Sequence, residues 1–408
     1  MKQYWLFVAI ALQDVVFCTI DSTFANNVSL DVIVVLNTFT IVLYFCLRPM
    51  MLGYYAYQAM QSRPKNCLMC SLISGTIVGA IVVATSQVLP YLFTLTDTQR
   101  EMLSEIFVLF GLCAPIQSVV RYIQIYCEYN NKQKFVFLVD LATYPPMILG
   151  DWIAVSLDAG AFGLRIATEV CWLLCLIALL PGSGILKEDD KIELKTILHC
   201  YYVGKDICIS HLIVRGATMF LTSMASTMGT VTYAIHSVAL GITDMAESFR
   251  DSTSSYSYVE LREHRDDLCK QSLRVLKKLI VPAMGLPLGL EVILVFIMHG
   301  KVDIADAVIA TALYSLAFLV YPIYDITSAA IQLSTVRQSA IPMSLLTAFW
   351  RVGALTVLIR VFGATIPVFG AVYFLDYLSR VVFLRIMLHR ERNTLQREAI
   401  VMDREGGL

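Results

Sequence analysis

Twelve apolar stretches separated by short polar gaps run the length of the chain, at about 4–24, 30–60, 67–95, 102–127, 134–156, 160–181, 206–228, 231–250, 276–299, 304–334, 341–363 and 366–388. Each predicts a helix of at least the roughly 20 residues that cross the hydrocarbon of a bilayer, and the longer ones are expected to tilt, bend or project from it. Basic residues collect in alternate gaps. Arg63 and Lys65, Lys132 and Lys134, Lys187, Lys191 and Lys195, the run from Arg250 to Arg274, Arg337 and the tail from Arg390 fall on one side, whereas the other side offers little beyond Arg100, Lys301 and Arg360. Because the Lys and Arg excess stays in the cytoplasm, the pattern predicts an all-α, multi-pass membrane protein with both termini cytoplasmic.

The strongest break is Pro181 to Lys195, with Gly182, Gly184 and the alternating charges of Lys187-Glu188-Asp189-Asp190-Lys191. It divides six spans from six. The expected organisation is an N-terminal lobe at 1–185, a cytoplasmic linker at 186–200, a C-terminal lobe at 201–390 and a cytoplasmic tail at 391–408. Two echoes support a duplicated six-helix unit: Gly75-x-x-x-Gly79 recurs as Gly285-x-x-x-Gly289, and Phe162-Gly163 as Phe369-Gly370. Small residues at this spacing let membrane helices approach closely. An even number of spans per unit gives both copies one orientation, so a cavity between two pseudo-symmetric lobes is the expected site.

Composition agrees, with 57% hydrophobic and only 15% charged residues, well outside the soluble averages. The formal net charge of -1 is sorted by membrane side, with no basic patch for nucleic acid. The first apolar run keeps acidic residues and reads as a span, without the cleavage site of a signal peptide. The eleven cysteines are scattered, several within spans where a thiol packs as a small apolar group, and Cys67-x-x-Cys70 lacks the second pair of a zinc site. No phosphate-binding loop, zinc-protease motif, potassium filter or nucleophile with a base is present, and His199, His264, His299 and His389 lie near edges or loops. These absences argue against an ATP-driven pump, a channel or an intramembrane enzyme.

Ionisable groups inside a membrane are costly, so each needs a partner, water or a function. Asp14 and Asp21 in the first span are seven residues apart, nearly two helical turns, and share a stripe. Asp140, Tyr144, Met147 and Asp151 do the same in the fifth, around Pro145-Pro146, which removes backbone donors and predicts a bend or an opened turn. A carboxyl group that exchanges water for hydrocarbon changes its proton affinity, so Asp21 and Asp151 are the expected coupling pair, with Asp14 and Asp140 as further candidates. In the ordinary alternative Asp151 neutralises Arg165. In the second half, Arg215, His236, Glu291, Asp325, Arg351 and Asp376 fall in or near spans. Pairing of Arg215 or Arg351 with Glu291 or Asp325 is expected there, since a pair leaves no charge uncompensated; Asp325, Glu291 and Arg215 are the candidates for a second-half site. Asp244 and Glu247 are expected in solvent.

Several segments resemble the MATE (multidrug and toxin extrusion) family, within the superfamily that also holds lipid-linked oligosaccharide flippases. Cys18-Thr-Ile-Asp-Ser-Thr-Phe-Ala-Asn-Asn27 is similar to its first-helix stretch, with the acid at Asp21; Asp151-Trp152 resembles the fifth-helix acid; Asp158 to Thr168 resembles the entry to the sixth helix, and Gly229 to Val238 the seventh-to-eighth connection. The resemblance covers nearly the whole length. It departs where Met147 replaces an asparagine and where Ser210 falls near a seventh-helix acid.

The resemblance implies twelve helices in two lobes and an antiporter of the plasma membrane. Such a protein exports cationic or amphipathic organic solutes in exchange for H+ or Na+ at Asp21 and Asp151, by alternating access, without a cofactor and as a monomer. Tyr144, Met147, Trp152 and Phe39 are the candidate wall of its cavity. The alternative, a lipid-linked oligosaccharide flippase, predicts that Arg48, Arg121, Arg165, Arg215 and Arg351 face the cavity to meet phosphate.

Overall fold

Ser29 closes one helix and opens the next: its hydroxyl oxygen accepts the Val32 N–H at 3.2 Å, satisfying a donor that has no partner at a helix start. It separates α1 (Lys2–Val28) from α2 (Leu30–Met50). The chain then forms α3 (Leu52–Met60), α4 (Pro64–Thr85), α5 (Asp97–Tyr129), α6 (Gln133–Ser156), α7 (Gly160–Ser183), α8 (Leu194–Ser226), α9 (Thr230–Arg262) and α10 (Leu268–Met298). It ends with α11 (Ile304–Ser315), α12 (Tyr321–Leu333), α13 (Ile341–Ala348), α14 (Leu355–Phe362) and α15 (Ile366–Glu405). This computed structural model describes residues 2–130, 132–262, 268–333 and 341–405; His264, Arg265 and Arg337 lie outside that set, as do the side chains of Asp14 and Asp21.

The protein is an all-helical, multi-pass membrane protein. Among the described residues ten stretches are long and apolar enough to cross a bilayer; α1 and α9, on the expected first and eighth spans, are the other two long helices. Large apolar side chains such as Ile81, Val281, Phe296 and Val361 stand exposed on the outside, an arrangement that suits lipid and would be a liability in water.

Several boundaries differ from those expected. The second span breaks at Met51 into α2 and α3, just past Pro49, which removes a helical donor. The tenth changes to a 3-10 turn at Leu316–Leu319, and the eleventh widens to a π turn at Phe349–Ala354. In contrast α6 continues through Pro145-Pro146 without interruption. The linker expected at 186–200 is already helix from Leu194, and α9 runs twelve residues beyond the expected end of the eighth span at 250, to Arg262. Charges that end an apolar window do not end a helix, since each added residue still gains a backbone bond.

Lipid tails are as apolar as leucine, so packing and polar bonds hold such helices together. One large core joins both halves of the chain, with Phe39, Phe107 and Phe110 from the first and Tyr233, Tyr314 and Phe369 from the second. Two separate clusters lie on the side where the chain begins. One holds Tyr57, Cys67, Tyr122 and Cys200, and the other Tyr4, Phe249, Leu279 and Leu388. Polar bonds pin the halves at the far side: Asn26 Nδ2 donates to the Met298 carbonyl at 2.7 Å, and the Lys301 N–H to the Asn26 carbonyl at 3.0 Å. Nearby the Thr94 N–H donates to Ser226 Oγ at 2.8 Å.

Of the two Gly-x-x-x-Gly segments, the first makes a close crossing. A Cβ at Gly79 would lie 2.2 Å from the Gly111 carbonyl oxygen, and one at Gly75 2.7 Å from Ser118, so α4 and α5 touch backbone to backbone. Gly285 and Gly289 have open space at the same positions.

Candidate functional site

The helices α1, α2, α5, α6, α7, α8 and α9 enclose a cavity of about 520 Å³ where the two halves meet. Its wall mixes charge, amide and ring: Arg121, Arg165, Asp140 and Asp244 with Gln117, Gln124, Tyr144 and Trp172. A smaller pocket of about 80 Å³ shares Asn37, Thr40 and Arg165 with it and reaches Phe39.

Local sequence explains how the first-half groups are held. Arg165 and Glu169 are four apart on α7 and therefore on one face; both are buried and form an ion pair. Gln117 from α5 donates to both Glu169 oxygens at 2.8 Å. The guanidinium also lies 4.6 Å from the centre of the Phe39 ring, a cation-π distance. Asp140 accepts from Gln124 Nε2 at 3.2 Å, and Arg121 stacks 4.7 Å from the centre of Trp172. Arg165 thus has its own carboxylate, Glu169, in place of the Asp151 considered from sequence.

Other candidates are distributed around this cavity. Asp140 and Tyr144 line it. Met147 and Asp151 are fully buried, as is Phe39 at 2% exposure. Trp152, 58% exposed, is on the outer surface of α6 and is not part of the cavity wall. Asp14 and Asp21 belong to α1, which packs against α6.

The second half holds a larger ionic network, and its pairings correct those expected. Asp325 receives two bonds from Arg250, at 3.0 and 3.3 Å. Arg250 also reaches Glu247 and the Tyr377 hydroxyl, both at 3.1 Å. Asp376 is shared by Arg351 at 2.9 Å and Arg380 at 2.8 Å. Glu291 accepts from Ser315, and Arg215 lies 4.9 Å from the centre of the Tyr44 ring. Glu247, expected in solvent, accepts from the hydroxyls of Tyr321 and Tyr373, and Asp244 lines the cavity. Tyrosines wall this network, with Arg250 4.2 Å from the centre of Tyr321 and Arg380 4.6 Å from that of Tyr377.

Sequence reasoning missed Glu169, Gln117 and Arg250 as parts of this interior. The Arg165/Glu169 spacing was a usable signal. Arg250 was not recoverable from hydropathy, because it stands where the apolar run of the eighth span ends.

Fold and cavity together define a class: a helical membrane bundle with a polar chamber at the seam of its halves. No protein-family model matches the chain, and no curated protein matches it significantly. Among solved structures it resembles a multidrug resistance MATE family transporter of the MOP superfamily in an inward-facing conformation, with TM-score 0.70 and 16% identity over 96% of this chain and 99% of that one. It resembles the lipid II flippase MurJ in an inward closed conformation with TM-score 0.69 and 13% identity, covering 98% and 91%. A MOP superfamily transporter from Pyrococcus furiosus, whose binding pocket is described as having reverse polarity, gives TM-score 0.66 and 16% identity, covering 96% of each chain. The chain therefore has the fold of the MATE and MurJ transporters.

Proposed function

We propose that the protein is a secondary active transporter that exports cationic or amphipathic organic solutes in exchange for H+ or Na+. The observation that carries this reading is the chamber of about 520 Å³ at the junction of the halves, a volume typical of sites for drug-sized molecules. Its wall offers two carboxylates, Asp140 and Asp244, with aromatic surface from Tyr144 and Trp172. One large core joins the halves, and of the two smaller clusters one ties α8 (Ile197, Cys200) to the first half and the other ties α1 (Tyr4, Val8) to the second, so a rocking in which α1 and α8 move with the opposite half is the motion that would expose the chamber alternately. Asp21 and Asp151 are the proposed coupling carboxylates, whose occupancy by a proton or Na+ biases the two states. The protein is proposed to act as a monomer in the plasma membrane with both termini cytoplasmic, its partners being the bilayer and the transported solute.

Reconstituted proteoliposomes test this with a cationic dye under separate H+ and Na+ gradients. Asp151→Asn and Asp21→Asn are each expected to lower gradient-driven uptake at least about tenfold, since an intramembrane acid is retained for what it binds. Coupled transport that survives both substitutions sinks the pair. A second expected result concerns Glu169. Glu169→Gln keeps the shape but frees the Arg165 charge toward the chamber, and is expected to weaken binding of a cationic dye by about 1 kcal/mol, on the order of fivefold in Kd. Fluorescence titration of the detergent-purified protein measures this.

A lipid flippase is the second reading, favoured by one observation: Arg121 lines the chamber and makes no ion pair among the described residues. It requires a phosphate-bearing headgroup in the chamber. Translocation of a fluorescent lipid pyrophosphate, lost in Arg121→Ala and absent for cationic dyes, would establish it in place of export.

A further inference from the structure

Among the uncharged polar side chains of the chamber wall, two carry a buried atom with no hydrogen-bond partner among the described residues. These atoms are His236 Nε2 on α9 and Thr222 Oγ1 on α8, in residues 0% and 2% exposed. The threonine is unusual within this bundle. Thr38, Thr40, Thr168, Thr218 and Thr243 each give their hydroxyl to the carbonyl four residues back, at 2.7 to 3.2 Å. That is the ordinary way to satisfy a helical threonine, and Thr222 does not use it. His236 is fixed at its other nitrogen, where Nδ1 meets the Tyr314 hydroxyl. Its ring packs against Tyr233, Tyr314 and Phe369, with centroids 6.0, 5.6 and 5.5 Å away.

Hydrogen-bond accounting sets the proton. The Tyr314 hydroxyl has no acceptor among the described residues other than Nδ1, and a buried hydroxyl proton left without one is costly. Tyr314 therefore donates, and a ring that accepts at Nδ1 carries its proton on Nε2. Residues of the chamber wall thus hold an uncharged N–H donor on α9 and an uncharged hydroxyl on α8, both out of water and both unspent, which a solute reaches when the side chains covering them shift. A neutral donor excluded from water binds an uncharged acceptor at small cost, whereas a charged acceptor would prefer the guanidinium of Arg121 or Arg165.

We propose that His236 Nε2 and Thr222 Oγ1 form a specificity subsite for an uncharged hydrogen-bond acceptor, such as a carbonyl or ether oxygen, on the transported solute. This rests on the exporter reading and narrows it: preferred solutes are cations that also carry such an oxygen. Asp244, eight residues from His236 on α9 and also in the wall, lies about 12 Å along the helix axis, which places an acid for the cationic end on the same helix face.

The test compares two cations on the detergent-purified protein: rhodamine 6G, which has an ester carbonyl, and tetraphenylphosphonium, which has no acceptor. Rhodamine binding is read by fluorescence polarisation and tetraphenylphosphonium binding by calorimetry. Thr222→Val is the clean variant, because the hydroxyl it removes has no hydrogen-bond partner among the described residues. It is expected to keep or raise the Tm while weakening rhodamine 6G about fivefold and leaving tetraphenylphosphonium within about twofold. His236→Phe is expected to weaken rhodamine 6G about tenfold, and His236→Gln, which keeps a donor near the Nε2 position, to recover part of that loss.

Equal losses for both cations, unchanged rhodamine affinity in both Thr222→Val and His236→Phe, or no rhodamine binding by the wild type would each overturn the subsite. Selective loss of rhodamine binding by a protein that moves neither cation against a gradient would sink the exporter reading and leave the subsite standing.

Discussion

Asp376→Asn is expected to cost about 3–5 kcal/mol of stability, the usual penalty for stripping one partner from a buried ionic group. The carboxylate is wholly buried and serves two guanidiniums, Arg351 from the π turn and Arg380 one helical turn along α15. An amide at this position keeps the volume and part of the hydrogen bonding but leaves two positive charges with one fewer negative group between them. The rings of Tyr373 and Tyr377, 4.7 and 4.6 Å from the two guanidiniums, offset only part of that, at about 0.5–2 kcal/mol per cation-π contact. Thermal unfolding in detergent, followed by size-exclusion chromatography, gives the measurement. Adding Arg351→Met to Asp376→Asn removes one uncompensated charge and is expected to recover part of the loss. Wild-type Tm in the single variant, or no recovery in the double, would mean that the triad contributes little.

Gly300→Ala is expected to open the far side of the bundle. Gly300 has φ +55°, and a Cβ there would come within 2.1 Å of the Asn26 carbonyl oxygen. The left-handed backbone alone costs a non-glycine residue about 1 kcal/mol, and the clash is with main chain, which cannot rotate aside. The carbonyl it strikes accepts the Lys301 N–H, while the Asn26 side chain donates to Met298. Relief therefore requires α1 and the end of α10 to part. The expected result is a Tm lowered by several degrees together with greater labelling of a cysteine introduced at Asn27, next to this contact. Asn26→Ala leaves the backbone bond and removes the side-chain one, so it is expected to give a smaller shift of the same sign. An unaltered labelling rate in Gly300→Ala would show that this contact does not close the bundle.

Much of the architecture was legible because hydropathy is a local property: an apolar run and the polar gap after it need no knowledge of neighbours. The errors cluster where a helix carries charge inward. By hydropathy Arg250 ends the eighth apolar run and falls in the gap after it, yet α9 continues past it and Arg250 holds Asp325. Hydropathy places residues 194–200 in a linker for the same reason, whereas they begin α8, with Cys200 packed beside Cys67 of α4. The ionic interior was legible only in kind. Acids and arginines on different helices were bound to pair, but which ones met depended on helix rotation, and a shift of one residue turns a side chain by about 100°. Within one helix that ambiguity vanishes, so Arg165 with Glu169 was open to derivation. The Gly285 and Gly289 echo shows the converse, since spacing alone does not say whether a second helix arrives.

The widened turn at Phe349–Ala354 has a consequence for how this interior is kept. A π turn is what a helix makes of a surplus residue that it absorbs without breaking, and Arg351 sits inside that surplus. Excising one residue here would restore a regular rod and swing everything on one side of the cut by roughly 100°, carrying the guanidinium off the Asp376 carboxylate. The triad is thus encoded in the length of this segment as much as in its letters, and a sister chain of the same composition but one residue shorter at this place would have to balance its inner charge by other means.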